Sequence, residues 1–369
     1  MPRFRDIRDT WVIAPNFKRR LSGVTATLER VVPVQARSLP IAALGPVLAD
    51  GVPRVRFRDL TRLRTPPAGH PWRVWHARRN VEMLGGLLLR HWFRARLRLV
   101  FTSASQRRHT AWSRFLIRRM DAVISTSSRT ASYLERPSTV VRHGIDASQF
   151  QPPPNKAALL QRLALPPLRW VGCFGRIRHQ KGTDVFVDAM IRVLRDRPGT
   201  GALVMGRAVG HHVAFLAGLQ QRVRDAGLAD RILFPPEVPP SGTPDWYAAL
   251  DVFVAPQRWE GFGVTPLEAM ATGVPVVATT VGAFPELVQT GVTGALVPPG
   301  DVEAMALAVG RLLDDEALRR NQGAAGRDRV RKHFTLEAEA EALNAVYRQL
   351  ELTDASPSAT TSRRDDMPG

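Results

Sequence analysis

The hydrophobic positions in the second half of the chain fall into two alternating patterns. Helical periodicity covers residues 182–196, 210–227, 243–250 and 264–272, and the short apolar runs around these stretches are RWVGCF, GALVMG, RILF, DVFVAP and VPVVAT. This alternation predicts repeated βα units. Because every residue from Val274 to Ala278 is apolar, we expect a strand of a parallel sheet with helices on both faces. The second half is therefore predicted to be a doubly wound α/β domain.

The first half shows a weaker form of the same alternation. We therefore predict that it is also an α/β domain of the Rossmann-like type. Its predicted strands are Trp11 to Ala14, Leu39 to Leu44, Val74 to His76, Leu97 to Thr102, Ala122 to Ser125 and Thr139 to Val141.

The segment DASQFQPPPNK, residues 146–156, has three consecutive prolines and no periodicity, which predicts a stiff, exposed connection. We place the domain boundary there, with residues 1–150 as the N-terminal domain and residues 151–335 as the C-terminal domain. Residues 336–352 are predicted to form a terminal helix, and residues 353–369 a disordered tail. Because doubly wound domains bind ligands outside the carboxyl ends of their strands, we expect the site in a cleft between the domains.

Composition narrows the class of protein. The chain has 369 residues with 44% hydrophobic content, which is enough for two globular domains. The single cysteine, Cys173, excludes a disulfide framework and a multi-cysteine zinc site, and it fits a reducing compartment. The basic start, MPRFRDIRDTWVIAP, has too short an apolar stretch for a signal peptide, and the run from Met83 to Leu89 is too short to span a bilayer. We expect an intracellular protein without a membrane-spanning segment.

Two glutamates lie eight residues apart in the segment RWEGFGVTPLEAMATGVPVVAT, residues 258–279. The segment is predicted to run from a loop at the carboxyl end of a strand into a helix that begins near Thr265, with Pro266 in its first turn. Thr265 and Glu268 also have the spacing of a capping box, in which Glu268 only bonds the helix backbone. That alternative leaves Glu260 and the neighbouring glycines unexplained. Two carboxylates beside exposed backbone N–H groups suit a polyhydroxylated ligand.

This segment resembles the signature of the retaining glycosyltransferases of family 4, which have the two-domain GT-B fold. The longer string APQRWEGFGVTPLEAMATGVPVVAT is similar to the lipopolysaccharide core mannosyltransferases of that family, and the likeness is strong over residues 169–335. The resemblance implies two facing Rossmann-like domains with a central cleft. It also implies that Glu268 binds the ribose of a nucleotide sugar and that Glu260 faces the donor sugar. The other donor-binding candidates of the segment are Gly261, Phe262, Gly263, Val264 and Thr265.

A second motif, GRIRHQKG at residues 175–182, lies between a predicted strand and a helix that begins near Thr183. An arginine and a lysine beside a helix N-terminus form a favourable diphosphate site. A solvated basic turn is the alternative, but the position of the motif two βα units before the glutamates, at the same sheet edge, favours a site. Arg176 and Lys181 match the diphosphate-binding pair of the family.

The sequence contains no Asp-x-Asp motif, so we predict a metal-independent enzyme with no cofactor beyond its nucleotide-sugar substrate. Backbone amides and two side chains, Arg176 and Lys181, then stabilise the departing nucleoside diphosphate. With Glu260, these residues are the catalytic candidates. The resemblance implies retention at the anomeric carbon by attack from the face that the leaving group vacates, so we assign no general base.

In the first domain, Gly23 is a candidate for diphosphate contact. It follows Ser22 in RRLSGVTATLER, where a helix is predicted to begin with free amides. A plain capped helix is the alternative, and resemblance to the glycine-rich first loop of the family favours contact. Many family members have a histidine after the strand that ends here in Thr102, whereas this sequence has Ser103 and Ser105.

Three further polar residues have open assignments. Glu237, in LFPPEVPP, follows a strand, where its carboxylate can accept hydrogen bonds from N1 and N2 of guanine, which uracil lacks. An exposed loop acid is the alternative. His76 and His143 lie at or near strand ends, and a lone histidine more often serves packing or the surface than catalysis.

The net charge of +19 arises entirely in the first domain. Residues 1–150 hold 28 Lys and Arg against 9 Asp and Glu, and the remaining residues hold 24 of each kind. This asymmetry indicates an anionic partner. Between residues 90 and 120, aromatic residues alternate with arginines, which predicts helices that lie on an anionic membrane surface; a core-facing apolar stripe is the alternative. Aromatic residues among arginines can also stack on single-stranded nucleic acid, but no matching recognition motif is present.

Together these features predict a retaining glycosyltransferase that transfers mannose from GDP-mannose to a lipopolysaccharide core or similar glycolipid. The predicted partners are the nucleotide sugar, a lipid-linked saccharide acceptor and the inner face of the cytoplasmic membrane, and not nucleic acid. The alternatives are a UDP-sugar-dependent transferase of the same fold, a nucleotide-sugar epimerase, a phosphorylase and a basic nucleic-acid-binding protein. The sequence assigns neither the linkage nor the oligomeric state.

Overall fold

The computed structural model describes residues 3–19 and 23–355, with side chains up to residue 352. Its framework consists of two six-stranded sheets, and helices follow most of the strands. The predicted α/β class, with two doubly wound Rossmann-like parts, is confirmed.

The first sheet has the strand order β2-β1-β3-β4-β5-β6, and β1 pairs in parallel with both of its neighbours. All six strands predicted for the first half are present, with ends that differ by no more than two residues. They are β1 Val12–Pro15, β2 Ile41–Leu44, β3 Arg73–Ala77, β4 Leu97–Ser103, β5 Ala122–Ser125 and β6 Thr139–Val140.

The second sheet has the order β12-β11-β10-β7-β8-β9, and each neighbouring pair is parallel. The hydrophobic pattern predicts every strand except β12, which is short and buried only at its two end residues. The strands are β7 Arg169–Phe174, β8 Thr200–Met205, β9 Ile232–Leu233, β10 Val252–Ala255, β11 Val276–Thr279 and β12 Gly294–Val297.

The helices follow the βα alternation that the sequence indicates. In the first half they are α1 Gly23–Gln35, α2 Asn80–His91, α3 Ala111–Ile117, α4 Ser128–Ala131 and α5 Lys156–Arg162. After β7 they are α6 Thr183–Arg195, α7 His212–Asp225, α8 Thr243–Ala248, α9 Thr265–Ala271, α10 Phe284–Leu287, α11 Val302–Asp314, α12 Glu316–His333 and α13 Leu336–Ala355. Within residues 3–19 and 23–355, four 3-10 helices cover Ile7–Asp9, Phe57–Arg62, His179–Lys181 and Pro240–Gly242.

Strand β7 shows why the second sheet carries helices on both faces. Its side chains alternate between two hydrophobic clusters, with Trp170 and Phe174 in one cluster and Val171 and Cys173 in the other. Successive side chains of a strand point to opposite faces, so each cluster covers one face of the sheet. Burial on both faces is typical of a parallel sheet between helical layers.

The chain divides into two compact units. The first unit comprises residues up to Thr102, Ala111–Ile124 and the residues from Ala340 onward. The second comprises Ser103–Thr110 and Ser125–Glu339. By strand pairing, the first sheet ends at Val140 and the second begins at Arg169. The predicted boundary at residue 150 lies between these two strands, whereas compactness assigns residues 125–150 to the second unit.

Two expectations about the connection and the tail need correction or qualification. The connection at residues 146–156 is not wholly exposed, because the Phe150 ring is buried against Tyr247 with a centroid separation of 5.8 Å. The terminal helix begins at Leu336 as predicted, but it continues to Ala355. The rest of the predicted disordered tail, residues 356–369, lies outside the described residues.

Polar groups at the centre of the first unit are fully buried and hydrogen-bonded. The Arg73 guanidinium donates to the carbonyl oxygens of Ile7 and Thr10, each at 3.0 Å, and to those of Leu63 and Thr65. These bonds tie β3 to two segments that precede it in the chain. Burial lowers the pKa of Arg73 from its ordinary value.

Candidate active site

Lys181 and Glu260 meet between the two motifs that the sequence singles out. The Lys181 ammonium donates to Oε2 of Glu260, and both side chains are largely shielded from solvent, with 22% and 16% exposed. Lys181 ends the 3-10 helix after β7, whereas Glu260 lies in the loop after β10. β7 and β10 are neighbours in a parallel sheet, so their carboxyl ends lie at the same edge. The structure therefore brings these two predicted residues together.

Gly182 fixes the distance between the two loops. Its φ of +69° is in the left-handed region, and a Cβ atom there would lie 1.8 Å from the Pro256 carbonyl oxygen. Only glycine allows this backbone approach without strain. The turn also places Gly182 at the start of α6, where the first N–H groups of the helix have no intrahelical partner.

Arg258 clamps the same two loops together. Its guanidinium forms two hydrogen bonds with the Asp184 carboxylate, at 2.6 and 2.8 Å, and one with the His179 carbonyl at 2.8 Å. Burial alone would raise the pKa of Asp184, but the hydrogen bonds and charge of Arg258 outweigh it, so that the pKa lies below its ordinary value. A bidentate pair of this kind sets orientation as well as distance.

The Glu260 loop is held from the opposite side by close backbone contacts. Gln106 donates a hydrogen bond of 2.6 Å to the Gly261 carbonyl. Gly282 has a φ of +61°, and a Cβ atom there would lie 2.6 Å from the Glu260 carbonyl oxygen. Gly263 has a φ of +77°, with the Phe284 ring 2.5 Å from its ideal Cβ position. The loop that carries Glu260 is therefore rigidly positioned.

Glu268 accepts a hydrogen bond from a buried phenol. The Tyr247 hydroxyl lies 2.8 Å from Oε2 of Glu268. Burial raises the pKa of Tyr247 well above its ordinary value, and the negative charge of Glu268 raises it further. The phenol therefore stays protonated over the physiological range and remains a donor to the carboxylate.

The two carboxylate pairs lie near the carboxyl end of β7, because the Tyr247 ring packs on Phe174, the last residue of that strand, at a centroid distance of 4.9 Å, and Lys181 ends the 3-10 helix that follows. Burial raises the pKa of the Cys173 thiol to about 12, and the positive charge of Lys181 opposes that shift. Cys173 in turn contributes to the raised pKa of Tyr247. The thiol itself is buried in the sheet and takes no part in the site.

The start of α9 has no capping box, contrary to the alternative that the sequence allowed for Glu268. Val264 is the N-cap residue and no side chain caps the helix. The Thr265 hydroxyl oxygen is buried and has no hydrogen-bond partner among the described residues. An unpartnered buried hydroxyl at this point can bond a ligand. Of the other candidates in the segment, Phe262 is buried with its ring edge-on to His143 at 4.9 Å, so its side chain packs in the core.

Arg176 is exposed in the loop after β7, and no described residue forms an ion pair or hydrogen bond with its guanidinium. The loop turns at Gly175, whose amide donates a hydrogen bond of 2.9 Å to the Met205 carbonyl on β8. Two residues further on, Arg178 has a buried Nε without a partner in the described part of the chain. The loop therefore presents cationic groups that its own residues do not neutralise.

Gly23, the predicted contact from the first domain, is the first residue of α1 and is exposed. No described atom lies within 4 Å of its ideal Cβ position, so it has open space in front of it. Ser22, with which the predicted loop was associated, lies outside the described residues.

The two histidines near strand ends are engaged in packing. His76 is fully buried, with Tyr347 and Thr102 hydroxyls each 2.6 Å from a ring nitrogen. Burial holds the pKa of His76 well below its ordinary value, and Arg78 lowers it further. His143 contacts the Glu339 carboxylate at 2.7 Å through Nδ1. These contacts engage both rings within the fold, and the expectation that neither histidine is catalytic stays a prediction.

Two further polar residues differ in burial: Ser103 is buried, whereas Glu237 is exposed. Ser103 lies 3.2 Å from Nε2 of His109. Burial lowers the pKa of His109, and Arg107 lowers it further. Glu237 is 58% exposed and lies 4.0 Å from Nε of Arg207. It is therefore accessible as an exposed loop acid.

No group of three or more His, Cys, Asp or Glu side chains within residues 3–19 and 23–355 has the arrangement of a metal site. In the same described ranges, no helix combines the length and apolar character needed to cross a bilayer.

Sequence reasoning missed four residues that position the site, and three of them are Arg258, Asp184 and Tyr247. Arg258 lies within the quoted motif, but its partner is 74 residues earlier, and no spacing rule connects the two. Tyr247 lies in a short helix, where its aromatic side chain is indistinguishable from core. Gln106, 155 residues before Gly261, is a fourth such residue.

Comparison with known proteins places these motifs in a family context. A family model described as glycosyl transferases group 1 matches residues 169–315. The chain is 60% identical to the lipopolysaccharide core biosynthesis mannosyltransferase LpsB of Rhizobium meliloti strain 1021, over 94% of this chain and 99% of the relative. It is 51% identical to the lipopolysaccharide core biosynthesis mannosyltransferase LpcC of Rhizobium leguminosarum bv. viciae, over 94% of this chain and 98% of the relative.

Similarity to solved structures extends over both sheets. The crystal structure of Anabaena HepE in complex with UDP superposes with a TM-score of 0.79, covering 92% of this chain and 99% of that one, at 19% identity. At this identity the likeness concerns the fold, and it confirms the predicted GT-B class.

Proposed function

The chain belongs to the family of group 1 glycosyltransferases, and from this premise we propose that it transfers mannose from GDP-mannose to a lipopolysaccharide core or related glycolipid, with retention at the anomeric carbon. The names of two relatives support the transferred sugar and the acceptor, because both are lipopolysaccharide core mannosyltransferases that align over nearly their whole lengths.

One observation carries the chemical part of the proposal. Glu260 pairs with the Lys181 ammonium, which ends the 3-10 helix after β7. Glu268 accepts from Tyr247, whose ring packs on Phe174 at the carboxyl end of the same strand with a centroid distance of 4.9 Å. Nearby, the Thr265 hydroxyl has no partner among the described residues. Carboxylates suit sugar hydroxyls, and the ammonium suits a diphosphate. This combination of groups matches the two halves of a nucleotide sugar.

We propose that donor binding exchanges the partner of Lys181. Without donor, the ammonium neutralises Glu260. When a diphosphate arrives, Lys181 and Arg176 turn to its oxygens, and Glu260 becomes free to accept a hydrogen bond from the donor sugar. Glu268, oriented by the Tyr247 phenol, accepts from the ribose hydroxyls.

The same cations assist the chemical step. As the bond between the anomeric carbon and the diphosphate breaks, negative charge grows on the departing oxygen. Arg176, Lys181 and the first N–H groups of α6 are preorganised donors for that charge, which is the electrostatic form of catalysis. The acceptor hydroxyl attacks from the face that the diphosphate vacates and passes its proton to a diphosphate oxygen, so no metal ion and no general base is assigned.

Guanine selectivity is assigned to Glu237. Its exposed carboxylate is long enough to accept from N1 and N2 of guanine, and Arg207 lies beside it. Glu237→Ala is expected to lower the preference for guanosine over uridine donors by about tenfold, the effect of losing one charge-assisted contact pair. An unchanged ratio of kcat/KM between the two donors would remove this assignment.

Anchorage to an anionic membrane is assigned to exposed aromatic residues of the first unit. Trp92 is 80% exposed and Trp112 51% exposed. Trp112 stacks on Phe115 with a centroid distance of 5.4 Å, and the Arg119 guanidinium lies 3.5 Å above the Phe115 ring. Exposed aromatic rings beside arginine are suited to the headgroup level of a bilayer. We therefore propose a peripheral enzyme on the inner face of the cytoplasmic membrane.

Vesicle binding tests this anchorage. Vesicles of phosphatidylcholine with about 30% phosphatidylglycerol are expected to bind the protein at about 50 mM salt and to release most of it at about 500 mM. The variant Trp92→Ser/Trp112→Ser should bind at least about fivefold more weakly. The matched control is Val213→Ser/Leu307→Ser, which removes two exposed apolar side chains of the second unit. Equal loss in both variants would contradict a specific surface.

Transfer itself is tested with purified protein, a panel of nucleotide sugars and a lipopolysaccharide core acceptor. We expect GDP-mannose to be the best donor, activity to survive EDTA, and the product to keep the donor's anomeric configuration in its NMR spectrum. Glu260→Gln should lower kcat by about 10²-fold or more. Glu316→Gln, an exposed carboxylate of α12, is the matched control. Preference for a UDP-sugar, or inversion, would overturn the proposal.

A further inference from the structure

The first unit contains a concave surface lined by arginines at the edge of its sheet. The segment Arg3 to Arg5 runs alongside Arg54. The Arg54 amide donates a hydrogen bond of 3.0 Å to the Arg3 carbonyl, and the Arg5 amide donates one of 2.9 Å to the Arg54 carbonyl. Between this segment and the 3-10 helix Phe57–Arg62 lies a cavity of about 490 Å³. We call it the arginine cavity.

Four guanidiniums line the arginine cavity: Arg5, Arg56, Arg58 and Arg62. None of them has a hydrogen bond or salt bridge to a carboxylate within the described residues 3–19 and 23–355. Arg56 instead rests on the Phe4 ring, with its guanidinium carbon 4.4 Å from the ring centroid. This stacking holds one guanidinium over an apolar base and leaves its N–H edge open.

The cavity also contains two carboxylates, but one of them is already neutralised. Asp6 accepts two side-chain hydrogen bonds from Arg8, at 2.6 and 3.0 Å. Hydrogen bonds from Arg8 lower the pKa of Asp6 to about 2, with Arg62 contributing a smaller effect through its charge. Asp59 is the second lining carboxylate. The positive charge of the cavity therefore exceeds the negative charge that its own residues supply.

Clustered guanidiniums repel one another, and a bound anion removes that repulsion. Guanidiniums prefer phosphate and carboxylate, which they bind through paired N–H groups. The Asp59 carboxylate adds an acceptor for hydroxyl groups. The volume is within the range of small-molecule sites. A polyol that carries an anionic group satisfies each of these features, whereas a bare anion leaves the carboxylate unused.

We propose that the arginine cavity binds a saccharide unit that carries a phosphate or carboxylate group, at a site separate from the residues assigned to the nucleotide sugar. Arg56, Arg58 and Arg62 bind the anionic group, and Asp59 binds a hydroxyl.

Binding of soluble sugars by the purified full-length chain tests the proposal. The probes are glucose 6-phosphate, glucuronate, glucose and inorganic phosphate, each titrated by calorimetry. We expect glucose 6-phosphate or glucuronate to bind in the millimolar range, and glucose to bind at least about tenfold more weakly. If inorganic phosphate binds as tightly as both anionic sugars, the sugar part contributes nothing and the saccharide assignment fails.

The variant Arg56→Gln/Arg58→Gln/Arg62→Gln should bind the anionic sugars at least about tenfold more weakly. The matched control is Arg195→Gln/Arg311→Gln/Arg320→Gln, which removes the same charge from exposed arginines of the second unit, and it should stay within about twofold of the wild type. Equal thermal unfolding midpoints establish that the cavity variant is folded. If the two variants lose binding equally, net charge and not the cavity is responsible, and the proposal is overturned.

Vesicles with about 30% phosphatidylglycerol separate a sugar from a lipid headgroup as the source of the anion. We expect the cavity variant to bind them within about twofold of the wild type. If the wild type binds none of the sugars and the cavity variant loses vesicle binding, the ligand is a lipid headgroup and the saccharide assignment is overturned. Donor hydrolysis should also be unchanged in this variant. If the wild type binds the anionic sugars but hydrolyses no nucleotide-sugar donor, the proposed function is contradicted and the arginine cavity remains supported as a saccharide site.

Discussion

The Tyr247 phenol oxygen lies 2.8 Å from Oε2 of Glu268, inside a protein core that keeps the phenol protonated. The pair joins α8 to α9, two helices of the second unit. A carboxylate assigned to the ribose is thereby given one fixed hydrogen-bond donor before any ligand arrives. Preorganisation of this kind lowers the cost of ordering a side chain on binding.

Tyr247→Phe removes the hydrogen bond and keeps the ring. We expect KM for the nucleotide sugar to rise about fivefold, because one hydrogen bond contributes about 1 kcal/mol, while kcat changes less. Steady-state kinetics at varied donor concentration provide the measurement. Tyr347→Phe, which removes a buried phenol of the first unit, is the control. An unchanged donor KM in Tyr247→Phe would show that the phenol does not orient Glu268.

Lys181→Met tests the exchange of partners proposed for Lys181. Loss of the cation should lower kcat by about 10² to 10³-fold, because charge on the departing diphosphate is no longer stabilised. Lys156→Met, which also breaks a lysine salt bridge, here with Asp251, should keep kcat. If both variants lose activity equally, the effect is structural and the assignment fails.

Arg258→Lys keeps the charge but cannot form the two parallel hydrogen bonds with Asp184. We expect the loop at residues 175–182, which carries Arg176 and Lys181, to be held less firmly. KM for the donor should rise about threefold or more, and the free energy of unfolding should fall by about 1 kcal/mol. Donor titration and urea unfolding measure the two effects. Arg192→Lys, at an exposed pair with Glu303, is the control and should change neither quantity.

Gly182→Ala is expected to destabilise the second unit by about 3 kcal/mol or more, because a left-handed backbone and a clash with the Pro256 carbonyl act together. Gly227→Ala isolates the first effect. Gly227 has nearly the same φ, +68°, but no atom lies within 4 Å of its ideal Cβ position. We expect a loss of only about 1 kcal/mol there. Equal losses in urea unfolding would refute the close approach at Gly182.

Stability at alkaline pH should depend on Cys173. Because the pKa of its thiol is raised from 9.0 to about 12 in the folded state, its contribution is fully present below pH 9 and is lost as the pH rises through about 12. At pH 11 the wild type should have lost about 3 kcal/mol of unfolding free energy relative to pH 8 through this group. In Cys173→Ala this part of the alkaline loss should be missing. Parallel pH profiles of the two proteins would contradict the buried thiol as the cause.

The sequence was sufficient for the pattern of βα units and for placing Lys181 and Glu260 at one sheet edge, but it did not predict the salt bridge between them. Hydrophobic alternation predicts strands well when they are buried on both faces, as β10 and β11 are. It fails for β12, whose middle residues are only half-buried. Glycine spacing indicated a loop at Glu260, but not that Gly182 and Pro256 would touch.

Contacts between distant positions could not be predicted from one sequence. The carboxylate of Asp184 looks like an ordinary first-turn acid of α6, and only the fold brings Arg258 to it. Conversely, His76 lies near the carboxyl end of β3, a position typical of active-site residues, yet it is buried between two hydroxyl groups. The local spacing of hydrophobic residues predicts which face of a helix or strand is apolar, but it does not predict which other element packs against that face.

Residues of α13 complete the interior of the first unit, and this has a consequence for biosynthesis. Asn344 accepts a hydrogen bond of 2.7 Å from Gln35, and Tyr347 contacts His76, so α13 fills positions in a unit whose other segments end at Ile124. A ribosome releases these residues after more than two hundred others have followed Ile124. The segments of the first unit up to Ile124 are therefore synthesised well before the helix that completes their interior, and until α13 is made this interior is exposed to aggregation.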